Sequence, residues 1–173
     1  MLLHSTNARY GPESNLAAEF YGHIAELLEN EAVLRLDSYV HHHCTTRLHH
    51  SLDVAYISFV IARFLRWDAR SAARAGLLHD LFFYDRRQEE FMHTGHLRAH
   101  PKIALENARK ICALNKREEN AILRHMWLMS IRPPRYREGY IVTFADKYCA
   151  LREVIAGLIT ARNPRVPWKD AAK

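Results

Sequence analysis

Apolar residues recur every three or four positions along most of the chain, and no stretch alternates in the manner of a strand. The first stripe is Leu16, Phe20, Ile24, Leu27 and Leu28. It predicts a packing helix from about Asn15 to Leu34, capped by Ser14 with Glu13 beside it. A second helix is expected from a Thr45 or Thr46 cap to about Trp67, with Arg47, His50, Val54, Ile57, Ile61 and Phe64 on its inner stripe. His49 falls on another side with Asp53, Tyr56 and Arg63, which makes His50 the inward member of the pair. Asp68 caps a short third helix that turns Ala72, Ala73, Ala75, Leu77 and Leu78 inward and ends near His79-Asp80; its small residues allow a close helix approach.

Residues Leu81 to Ala99 keep no period and read as a long loop. His100-Pro101 is expected to open a fourth helix, with Pro at its first position and Ile103, Ala104, Ala108 and Ile111 inward. Asn115 caps a fifth, to about Met129, with His125 beside Ile122, Leu128 and Met129. A sixth runs from Arg137 or Gly139 to Thr160. The pattern therefore predicts an all-α protein, a single-domain bundle of about six or more helices. A lead-in and packing helix (1–36) precedes the main domain (37–160), and a tail (161–173) follows.

Composition supports this: 49% of 173 residues are apolar, and Gly and Pro number only six each. The net charge of +6 suits an anionic ligand. The basic residues are scattered, with no basic helix or stacking motif, which argues against nucleic acid. Three separated cysteines without a CxxC, no bilayer-length apolar run and no signal-peptide pattern give the expectation of a reduced, cytoplasmic protein with no membrane role. A homodimer stays open.

Twelve histidines change the picture. Adjacent helical residues point about 100° apart, so His79 and Asp80 reach one site only near a helix end. An unpaired buried Asp is costly, which makes pairing or a cation the natural company for Asp80. Asp146 shares a face with Val142, Thr143, Cys149 and Ala150, again an inward carboxylate. His50, His79, Asp80, His100, His125 and Asp146 are thus the candidate ligands of a divalent ion such as Fe, Mn, Zn or Mg. His41, His42 and His43 read as a loop, with His43 able to approach the site, and His96 is a weaker alternative to His100.

Arg47-Leu48-His49-His50-Ser51-Leu52-Asp53-Val54-Ala55, Ala75-Gly76-Leu77-Leu78-His79-Asp80 and Ala145-Asp146-Lys147 resemble the HD superfamily of metal-dependent phosphohydrolases over roughly residues 43–150. The resemblance implies that His50, His79, Asp80 and Asp146 hold a primary metal. His100 and His125 match the extra histidines of binuclear members, in which Asp80 bridges two ions. It also implies that water activated by one or two ions attacks phosphorus in a nucleotide or other small phosphate ester. Asp80, Lys147 and Arg47 are the candidate catalytic groups, and Arg135 and Arg137 the candidates for closing over an anionic substrate.

Two features depart from the family. The Ile-Gly-Lys that often follows HD is replaced by Leu81-Phe82-Phe83-Tyr84-Asp85, which implies a different pocket wall. The GYP segment of cyclic-dinucleotide hydrolases is absent after His125. The alternatives are a di-iron oxygenase on the same scaffold and a non-catalytic nucleotide-binding sensor.

Overall fold

The computed structural model describes residues 15–41, 45–84 and 92–162, without the side chains of 92–97 and 160–162. The expected Ser14 cap, His42, His43, Cys44 and the 163–173 segment lie outside the described residues, as do the side chains of His93 and His96. The described chain is all-α apart from one small ribbon. Its helices are α1 (Asn15–Leu28), α2 (Glu31–Leu34), α3 (Arg47–Phe64), α4 (Ala69–Leu78), α5 (Met92–Ile111), α6 (Lys116–Arg124) and α7 (Arg137–Arg162). A 3₁₀ turn, Arg35–Ser38, leads to the antiparallel strands β1 (Val40–His41) and β2 (Thr45–Thr46), in which His41 pairs with Thr45.

The centre of the fold is the α3–α4 pair, flanked by α7 and closed by α1 and α6. Gly76 explains how close these two helices come. A Cβ there would stand 2.7 Å from the Ala55 Cα, so only glycine permits this crossing. Phe20, Ile24 and Leu27 of α1 are buried, and the Phe20 ring meets those of Tyr56 and Phe59 on α3. The buried Arg74 of α4 donates to Glu118 of α6 at 2.8 Å, and Glu118 also completes a capping box with Asn115. Burying both charges is tolerable because each is hydrogen-bonded. Cys112 and Cys149 are free thiols, and no described helix is long and apolar enough to cross a membrane.

Several boundaries differ from expectation for local reasons. The first helix stops at Leu28 because Asn30 turns extended and caps α2, its side chain accepting from the Ala32 amide. Ile61 and Phe64 are exposed rather than inward. α3 is instead buried on several sides by its neighbours, at Leu48, Leu52, Ala55 and Phe59 among others. Helix α5 begins eight residues before His100, so Pro101 sits inside it and forfeits one backbone hydrogen bond there. Helix α6 ends at Arg124. Leu128 adopts φ 78°, which a right-handed helix cannot contain, and Leu128 and Met129 face solvent.

Candidate metal centre

Five helices and one strand deliver side chains to a single buried place. Thr46 caps α3 by accepting from the His49 amide, which starts the helix so that His50 falls inward, fully buried. His79 is the C-cap of α4 and Asp80 follows it, so the helix end lets both turn into one site. His100 comes from α5, His125 from the C-cap of α6 and Asp146 from the middle of α7.

Asp80 lies between two groups of imidazoles. Its Oδ1 is 3.5 Å from His100 Nε2 and 3.6 Å from His125 Nε2. Its Oδ2 is 3.8 Å from His79 Nε2 and 3.8 Å from His41 Nε2. On the Oδ2 side, Asp146 Oδ1 stands 3.3 Å from His50 Nε2 and 3.8 Å from His79 Nε2. On the Oδ1 side, His100 Nε2 and His125 Nε2 are 2.9 Å apart. Donor atoms within about 2.1 Å of a shared ion stand roughly 3–3.5 Å from one another, so these spacings fit divalent coordination.

The outer nitrogens fix the tautomers. His79 Nδ1–H donates to the Gly76 carbonyl at 2.7 Å and His125 Nδ1–H to the Ile122 carbonyl at 2.8 Å. His50 and His41 donate through Nδ1–H to the two oxygens of Glu153, at 2.9 and 3.0 Å. Each Nε2 lone pair is thereby aimed inward, the usual preparation of a histidine for a metal. His50 Nε2, His79 Nε2 and Asp80 Oδ1 are buried without a hydrogen-bond partner of good geometry. An orphaned buried polar atom costs about 1–3 kcal/mol, so His50 and His79 on one side of Asp80, and its Oδ1 on the other, suit ions as the missing partners.

The electrostatics agree. Burial alone would raise the Asp80 carboxyl, but His79, His100 and His125 hold it far below the usual range. Asp146 is likewise buried and is kept ionised by His50, His79 and the Lys147 ammonium, 2.6 Å from its Oδ2. Burial and the neighbouring His100 and His79 keep His125 neutral, down to about pH 3.

All six expected ligands thus converge. Sequence reasoning missed two companions. His41, read as loop, enters through β1 and stacks on His50 with ring centroids 3.9 Å apart. Glu153 lies seven residues after Asp146 on the same helix face, and carrying that face two turns further along α7 would have found it.

The arginines behave differently. Arg47 is buried, donates to the carbonyls of Phe82 (2.6 Å) and Tyr84 (3.2 Å), and lies 3.7 Å over the Phe82 ring. It fixes the segment after Asp80 instead of facing an incoming anion. That segment supplies the altered wall: the Phe82 ring sits 5.6 Å from His100. Arg137 stacks 5.2 Å from Trp67, at the far end of α4 from His79, and Asp146 is nine residues (about 13 Å) further along α7. Arg135 is exposed, with its amide donating to Asn120. Pro134 and Gly139, which flank the two arginines in sequence, pack together, and among the described residues neither arginine contacts the six histidine and aspartate side chains.

The HD domain family model matches residues 47–151, well over half of the chain. The chain belongs to the HD domain family. Comparison with curated proteins and with solved structures found no significant match. Membership of the HD family points to metal-dependent phosphohydrolase chemistry in general. The buried His and Asp groups His50–His79–Asp146 and Asp80–His100–His125 are compatible with a divalent metal site in this HD domain.

Proposed function

We propose that this HD-domain protein hydrolyses a nucleotide or another small phosphate ester with activated water. One observation carries the reading: the two oxygens of Asp80 face two separate imidazole groups. A carboxylate so placed suits a bridge between two ions. His50, His79, Asp80 and Asp146 would hold one, and Asp80, His100 and His125 the other, with His41 beside the first. When bound, such ions supply Lewis acidity that makes water nucleophilic near neutral pH and offsets charge growing on phosphoryl oxygens.

The remaining work falls to the chain itself. Glu153, Gly76 and Ile122 hold their imidazoles with Nε2 inward. Lys147, half-buried, balances Asp146 and brings an ammonium that can also meet a phosphoryl oxygen. Arg47 and Phe82 form the wall beside His100. The expected partner is a small phosphate-bearing anion, and the expected setting is the cytoplasm.

The test is a phosphate-release screen over nucleotides and simple esters with Mn, Fe, Zn or Mg supplied. Release that needs the metal, vanishes in Asp80→Asn and survives in Arg137→Gln is the expected result. Iron-loaded protein that consumes O₂ and releases no phosphate would replace this reading with an oxygenase.

A further inference from the structure

Helix α7 is apolar on both sides. Its inner face carries Asp146, Cys149 and Glu153 into the core. Its outer face presents Phe144, Tyr148, Leu151, Ile155, Leu158 and Ile159, each between 44% and 61% exposed. The first five are spaced four, three, four and three residues apart, the seam of a helix that packs against another helix. The stripe itself has no charged member. The two cations that border it are turned aside: Lys147 onto Asp146, and Arg152 onto Asp53 of α3.

The order of residues selects the partner. Reversed end to end about Leu151, the stripe sets Phe144 opposite Leu158 and Tyr148 opposite Ile155. An aromatic half then meets an aliphatic half, and Leu151 meets itself. A surface that complements its own reversed copy is what an isologous two-fold interface requires. With roughly 200 Å² per large apolar side chain, the exposed part comes to about 600 Å² per copy. Complete burial of both stripes would remove about 1,200 Å², the lower bound of a standard interface, before any flanking contact.

We infer that α7 pairs antiparallel with α7 of a second copy of this chain across a two-fold axis at Leu151. The pairing lies on the back of the helix that carries Asp146 and Glu153, so the dimer braces the metal centre without covering it.

Sedimentation equilibrium of the full chain tests this from about 1 to 100 µM, with circular dichroism and metal content as controls on folding. The wild type is expected at twice the 20.2 kDa chain mass. Leu151→Glu, which sets two carboxylates against each other, is expected to weaken association at least tenfold at unchanged helicity. Tyr148→Lys and Ile155→Glu are each expected to weaken it, and the double variant to restore it, because an antiparallel pairing places 148 opposite 155. A wild type that keeps the single-chain mass throughout, its stripe covered by its own termini or bound to phosphatidylcholine vesicles, overturns the proposal. So does a Leu151→Glu protein that stays dimeric, or a double variant that associates no better than the singles.

Discussion

Glu153 accepts a hydrogen bond from His50 at 2.9 Å and, through its other oxygen, one from His41 at 3.0 Å. One carboxylate thus aims two imidazoles from α3 and β1 toward Asp146 and Asp80. Burial would raise its pKa, yet the two histidines hold it at about 2, so it stays an acceptor. Removing the orienting partner of a metal-binding histidine typically costs 10- to 100-fold in metal affinity. Glu153→Ala is expected to show that loss in a competition titration against a metal chelator. Glu153→Gln, which keeps one acceptor oxygen, is expected to lose less. Equal affinity in Glu153→Ala and wild type would remove Glu153 from the account.

Gly76 serves packing and chemistry together. Its carbonyl fixes His79, and its missing side chain lets α4 lie on Ala55. Gly76→Ala forces the two backbones apart and is expected to cost about 1–3 kcal/mol. Thermal denaturation should show a melting temperature lower by roughly 2–4 °C per kcal/mol. A melting temperature at or above that of the wild type would contradict the close crossing.

The ion-free protein should have a stability maximum near neutral pH. Burial opposes charge on His50, but Asp146 and Glu153 outweigh it and lift the pKa to about 10. Its contribution is full below the unfolded value near 6.5 and is lost as pH rises through 10. Burial and the charge of His50 lower His41 to about 4, and burial with His100 and His79 lowers His125 to about 3. Both resist protons that the unfolded chain accepts, so stability falls as pH drops below about 6.5. Glu153 adds a loss from about 4.5 down to about 2. Melting of chelator-treated protein across this range should peak between about pH 6 and 7. A melting temperature that climbs steadily to pH 9 would be inconsistent with His50 lying between two carboxylates.

Arg47 is expected to act on the segment after Asp80. Its guanidinium spans two carbonyls and covers Phe82, and an ammonium cannot reproduce that fork. Arg47→Lys should loosen Phe82 against His100, seen as faster amide exchange over residues 81–84, whether or not phosphate is present. A change confined to the affinity for phosphate would instead restore Arg47 as an anion contact.

The cluster of buried histidines and aspartates was legible in the sequence because inward polar residues on apolar stripes are rare enough to stand out. His50, His79 and Asp146 each sit where a Leu would otherwise be expected, and their burial follows from that periodicity. What stayed hidden depends on contacts across the chain. His41 reaches the site through a ribbon of two residues per strand, too short to leave a period-two signature. Arg47 looked like a free cation one turn before His50, and only the course of residues 82–84 reveals its carbonyl partners. Helix α6 stops at Arg124, and the left-handed backbone of Leu128 four residues on, which no side-chain preference announces, prevents the helix from running on to Met129. The start of α5 was obscured by Pro101, which resembles a first-turn proline but lies in the helix interior.

Elemental analysis of metal per chain tests most directly whether Asp80 joins two ion sites. Wild type reconstituted with Mn or Fe is expected to hold two ions. His100→Ala and His125→Ala should each hold one, and Asp80→Ala close to none at unchanged helicity. Full metal content in Asp80→Ala, or a wild type that takes up no metal after reconstitution, would contradict it.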